Sequence, residues 1–129
     1  MPQNNKRAGA LRELLEFQKR GDGVGDWGQP IPGTGDWEEV FTTHGSLTPR
    51  VGGETVTAAR LNGEQPYVLT IRQTSQTADI TSAWRIVDAR AGSNSEGKPN
   101  RVFAIKAPPT DPDGKNAWLE ILISENAAS

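Results

Sequence analysis

The chain has 129 residues, with 14 Lys and Arg against 16 Asp and Glu for a net charge of −2, and 34% of it is apolar beside 14 Gly and 9 Pro. That is the length of one domain with a small core and many turns, and the near-neutral charge gives no electrostatic case for gripping nucleic acid. There is no cysteine, which removes disulfides and thiolate metal sites. With no secretory-signal pattern and no apolar run near the ~20 residues of a membrane helix, a soluble protein made in the cytoplasm, without membrane contact, is expected.

Residues 1–9 are polar and are expected to form a flexible arm. From Ala10 to Arg20 two patterns compete. Leu11, Leu14 and Leu15, set among good helix formers, have the i, i+3, i+4 spacing of an amphipathic helix. Strict alternation through Leu11, Glu13, Leu15 and Phe17 makes a poorer strand, so periodicity alone favours the helix. Charge is unevenly spread. Residues 1–20 hold five basic side chains (Lys6, Arg7, Arg12, Lys19, Arg20) against Glu13 and Glu16, whereas 21–40 hold Asp22, Asp26, Asp36, Glu38 and Glu39 and no basic residue. A basic segment beside an acidic loop can pair between neighbouring subunits, or both can simply be solvated.

Gly21 to Gly35 reads as a Gly/Pro-rich loop with Gly25-Asp-Trp27 near one end and Gly35-Asp-Trp37 at the other. Glu38-Glu-Val-Phe-Thr-Thr43 is rich in β formers and predicts a strand to about Leu47, ended by Pro49 and Gly52-Gly53. Glu54 to Leu61 is either a short helix or an open loop. Tyr67, Leu69 and Ile71 alternate with Val68, Thr70 and Arg72 and predict a strand, followed by a polar turn from Gln73 to Ile80. Ala83 to Val87 is the next strand, and Ala91 to Pro99 is a flexible, exposed loop. Val102 to Ala107 and Ala117 to Ser124 close the chain as a hairpin around Pro108 to Asn116. The predicted fold is all-β, a small antiparallel barrel or sandwich with at most one short helix. One domain spans 10–125, with long loops at 21–37, 45–64 and 90–100 and a flexible C-terminus at 126–129.

No motif in the chain predicts chemistry. Gly23-Val-Gly25-Asp-Trp-Gly28 fits a dinucleotide fingerprint, but Gln-Pro-Ile-Pro follows where the phosphate-binding helix must start. Asp111-Pro-Asp113 opens no calcium loop, because positions six and twelve would be Asn116 and Leu122. An Asp-Gly turn explains it better. His44 is the single histidine and has no cysteine to activate, and no nucleophile elbow occurs. No catalytic residue, metal ligand or cofactor site is therefore expected. Trp84 and Trp118 read as core or barrel-lining residues. Trp27 and Trp37 flank the acidic loop, where they serve either as interface anchors or as covers folded over a barrel end. No basic stripe interleaved with aromatics, as single-stranded nucleic acid would require, is present.

Leu14-Leu-Glu-Phe-Gln-Lys-Arg20, Gly35-Asp-Trp37, Gly45-Ser-Leu-Thr-Pro49 with Gly53-Glu54, and Val68-Leu-Thr-Ile-Arg72 follow one another in order. Trp84-Arg-Ile-Val87, Val102-Phe-Ala-Ile105 and Trp118-Leu-Glu-Ile-Leu122 complete the series. Over roughly residues 11–125 it resembles the head-closure (stopper, or head–tail joining) proteins of long-tailed phages and gene-transfer particles. The ordered series carries the likeness, since each motif alone is weak. The departures from the family pattern are the extended 21–35 loop and the additional 91–100 loop.

The resemblance implies that residues 11–19 form a strand, because tertiary pairing overrides propensity. It implies a virion structural protein at the neck, a homo-oligomeric ring of hexamer or dodecamer type in the head–tail connector. Its partners would be a portal-side adaptor and the tail terminator or tail tube, with DNA passing through the channel without sequence-specific binding. By position the 45–64 segment would face the channel, with Arg50, Glu54, Arg60 and Glu64, and shortening it would spare the fold but leak packaged DNA. Arg20, Asp22, Asp26, Trp27, Asp36 and Trp37 are the expected subunit or partner contacts. A tail terminator or another neck or tail component shares this logic, and a free small-barrel binding module is the alternative of a different class.

Overall fold

Alternation prevails over helical spacing in the first segment. In the computed structural model, which describes residues 11–50, 53–111, 114 and 117–126, Glu13–Arg20 is strand β1. Leu15 and Phe17 are fully buried on its inner face. A helix would have turned Phe17 away from the leucine stripe. The strand instead buries both side chains and bonds on both edges, to the strands Trp37–Pro49 (β4) and Arg85–Asp88 (β6). The helix favoured by periodicity is thus replaced by the strand that the resemblance implies.

The remaining elements are β2 (Gly23–Val24), β3 (Pro30–Ile31), α1 (Glu54–Leu61), β5 (Glu64–Arg72), β7 (Val102–Ile105) and β8 (Trp118–Asn126). Six strands close a barrel in the order β1-β4-β5-β8-β7-β6, every pair antiparallel, while β2 and β3 pair separately. Closure leaves no edge strand in the main sheet. Inside it Phe17 stacks on Phe41 with centroids 4.7 Å apart, and Trp84 meets Phe41 edge-on at 6.4 Å. Leu69, Ile71, Ile86, Phe103, Ile121 and Ile123 complete the fully buried set. The two phenylalanines face the same interior because they are direct partners in the β1–β4 register, which shifts after Phe17. Phe17 pairs with Phe41 and Gln18 with Glu39, so Val40 is the extra residue of a bulge.

Gly45 lets β4 pass close to β5. A Cβ there would lie 2.7 Å from Leu69 Cδ1 and 3.1 Å from Thr70 O, so the β4–β5 approach needs glycine. β4 then runs on to Pro49, opposite Tyr67. Of the segment 45–64 expected as a loop, the first part is therefore strand and Glu54–Leu61 is helix. Val56 packs that helix inward, and Gly53 precedes it at φ 85°, a conformation glycine reaches without strain. A deletion within 45–49 would cut into the β4–β5 ladder, so a shortening that spares it falls between Pro49 and Glu64.

The other two loops also carry local structure. Residues 21–36 form an arm built on the β2–β3 pair. In the 90–100 loop Ser93 bridges to Pro99, and Asn94 Oδ1 accepts from the amides of Glu96 and Lys98 at 2.9 and 3.0 Å. The β7–β8 hairpin is as expected, its loop pinned by paired amide bonds between Thr110 and Glu120. Gly114, at φ 66°, donates to Asp111 Oδ1 at 3.0 Å, in keeping with a turn. The flexible termini expected at 1–9 and 126–129 lie outside the described residues, except that Asn126 ends β8.

Candidate functional site

β4 separates two surfaces, one at each of its ends. At the Trp37 end stands the arm. Its base is tied by amide bonds from Gly21 to Asp36 O at 2.9 Å and from Gly35 to Gly21 O at 2.8 Å. Arg20 adds a staple, donating through Nε to Gly35 O at 2.8 Å and through Nη2 to Thr34 O at 3.0 Å. At the tip Gly25 N reaches Gln29 O at 2.8 Å, Gly28 N reaches Gly25 O at 3.0 Å, and Trp27 N reaches Gln29 Oε1 at 3.0 Å. This well-bonded turn holds Trp27 out with 91% of its surface exposed, beside Val24 at 79%. Asp22, Asp26 and Asp36 are exposed on the same arm.

Arg20 is thus engaged with its own arm. Trp37 is half-buried at the arm's root, with the guanidinium groups of Arg85 and Arg20 over its ring at 4.5 and 5.8 Å. Trp37 therefore covers the barrel end, while Trp27 stands free of it.

At the Pro49 end α1 roofs a cavity of about 380 Å³ between itself, β5 and β8. Val56, Ala59, Pro66, Leu122 and Ile123 make its walls mostly apolar, and Arg50, Glu64 and Lys106 stand around it. Glu64 pairs with Lys106 at 3.7 Å, and the Arg50 backbone is fixed by Pro66 O and the Gln65 side chain. Ser124 also lines the cavity, 95% buried by its 5% exposure, and its Oγ has no hydrogen-bond partner among the described residues. Glu54 and Arg60 lie on the exposed surface of α1, one in its first turn and one in its last. The four residues expected to face a channel are therefore divided, two beside a cavity and two on the helix surface.

Sequence reasoning did not single out Arg101. Its Nε donates to Glu125 Oε2 at 2.8 Å, its Nη1 to Asp88 Oδ2 at 3.3 Å and its Nη2 to the Tyr67 hydroxyl at 3.2 Å. The guanidinium also lies 4.9 Å over Phe103. The hydrogen bond to Glu125 holds it above its ordinary pKa, against the opposing effect of burial. This network fastens β5, β6 and β8 around the start of β7. Arg85 shows the reverse balance. Burial lowers its pKa while nearby Glu16 raises it, and its Nε donates to Gln18 Oε1 at 2.7 Å.

Nothing among the described residues gathers three His, Asp or Glu side chains for a metal ion. His44 is exposed on β4 opposite Leu14, away from any nucleophile pair. The Gly23–Gly28 fingerprint falls on β2 and the arm's turn, with no helix after it. What the surface offers is shape and charge for contacts.

A sequence model of the family described as phage head completion protein matches residues 6–126. None of the curated proteins matches. Among solved structures, the solution structure of protein SF1141 from Shigella flexneri 2a is similar at 23% identity and a TM-score of 0.60, over 95% of this chain and 99% of that one. A chain of the virion of a native gene transfer agent particle is similar at 17% identity and a TM-score of 0.58, over 91% and 96%. Both are likenesses of fold.

Proposed function

This chain belongs to the phage head completion protein family, and from that premise we propose that it forms a ring in the neck, joining the portal-side adaptor to the tail. It is a structural component of the virion, not an enzyme. Within the ring, the subunits hold packaged DNA until the tail is engaged and then let it pass. Its partners are further copies of itself, the portal-side adaptor and the tail terminator or tail tube.

The observation that carries this reading is the closed barrel with two unlike surfaces at opposite ends of β4. A closed sheet has no edge to lend to a partner strand, so contacts fall to the excursions. A rotationally closed ring needs two different faces on each subunit, and the acidic arm and the α1 end supply them. The exposed surface of α1, with one acid (Glu54) and one base (Arg60), is the face assigned to the channel. A balanced surface suits a passage that must release DNA, because each extra cation in contact with phosphate tightens binding by counterion release.

The reading is tested by removing the protein from an assembling particle. DNA-filled heads and finished tails should then accumulate separately, and adding purified protein should join them. Joined, infectious particles made without it would overturn the assignment.

A further inference from the structure

The arm's ordered tip and the cavity under α1 are complementary in two respects. The tip offers one large aromatic, Trp27, that packs against nothing of its own barrel. The cavity is mostly apolar and, at about 380 Å³, has the volume class of a small-ligand pocket, ample for one indole ring. In charge, the tip carries Asp26 and the arm Asp22 and Asp36, whereas the cavity has two cations, Arg50 and Lys106, to the one carboxylate of Glu64.

The two features do not meet within one molecule, since Trp27 is 91% exposed and the residues around the cavity are not those of the arm. The arm is rooted at the Trp37 end of β4 and the cavity lies at its Pro49 end. The occupant therefore comes from another chain, and a second copy already carries the matching arm. We propose that Trp27 of one copy inserts into the cavity beneath α1 of the next, with its flanking aspartates meeting Arg50 and Lys106. The contact is head-to-tail, so it closes a ring when the rotation between copies allows. It rests on the ring reading above and names the surface that builds that ring. The turn at 25–29 is already hydrogen-bonded, so little ordering entropy opposes insertion.

The absence of cysteine from the chain makes a direct test possible. Particles are assembled with the variant Asp26→Cys plus Ala59→Cys, which keeps Trp27, and treated with a short bis-maleimide. A parallel sample receives an amine-reactive crosslinker that reports any ring, however it is built. The expected result is a ladder of multiples of this chain with both reagents, and no ladder from either single variant under bis-maleimide. A ladder with the amine reagent but none with the bis-maleimide overturns the arm-and-cavity contact and leaves the ring standing. Monomer alone with both overturns the ring as well, and a crosslink from Asp26→Cys to a different virion protein assigns the arm to that partner instead.

A substitution supplies a second readout. Trp27→Ala should weaken self-association about thirtyfold or more, as central tryptophans do, while the isolated protein melts within about 2 °C of wild type. Unchanged association of Trp27→Ala would refute the insertion.

Discussion

Arg101→Met isolates the network that fastens the barrel. The substitution keeps an apolar stem over Phe103 and removes the charge that faces Asp88, Glu125 and the Tyr67 hydroxyl. Breaking one partner out of a buried ion pair costs about 3–5 kcal/mol, chiefly through the charge left behind. Asp88 is such a charge, with its side chain 9% exposed. Arg101 itself retains 30% exposure and Glu125 24%, which moves the Glu125 contribution toward the exposed-pair range below about 1 kcal/mol. The expected loss is about 2–3 kcal/mol. For 129 residues at about 2.1 cal/mol/K each, that lowers Tm by about 7–11 °C.

Adding Asp88→Asn should return about half of the loss, because the stranded charge is then gone while Arg90 N keeps its acceptor. Glu125 holds the guanidinium above its ordinary pKa, so the stability it supplies is complete below that ordinary value and is lost only as pH rises through the raised one. The gap between wild type and variant should therefore stay flat from about pH 6 to about pH 9. Urea melts at several pH values measure all of this. A variant within about 0.5 kcal/mol of wild type, the range of ordinary surface changes, would refute the structural role of the network.

Phe17→Ala should cost about 3–5 kcal/mol in the same melts by emptying half of the Phe17–Phe41 stack. Gly45→Ala should cost about 1–3 kcal/mol, since its Cβ collides with Leu69 and Thr70 across the β4–β5 ladder. Arg20→Ala should shift Tm by less than about 2 °C yet expose the 21–36 arm to limited proteolysis, because the staple serves the arm rather than the barrel. Glu54→Lys should slow DNA release from assembled particles, and added salt should relieve the delay, if α1 lines the channel. Release kinetics indifferent to that charge would remove α1 from the passage.

The strands whose inward residues alternate were legible in the sequence. Leu69 and Ile71 on β5, and Leu119, Ile121 and Ile123 on β8, bury as the period of two requires. Residues 11–20 were ambiguous because three leucines satisfy helix and strand alike, and what decides is pairing with both β4 and β6, which no local pattern encodes. The strand β4 was legible almost to its end at Pro49, but the close approach of Leu69 that requires Gly45 was not. At the site level, the exposed Trp27 and the acidic arm could be picked out locally. The Arg101 network could not, since its partners lie 13, 24 and 34 residues away. Nor could the cavity, whose walls come from β5, β8 and α1.

The most direct test of the account is cryo-electron microscopy of intact particles at the neck. The account predicts a ring of six-stranded barrels between the portal-side adaptor and the tail, α1 toward the channel and each 21–36 arm seated on the neighbouring subunit. Barrel density elsewhere in the particle, or a neck without this chain, would contradict it.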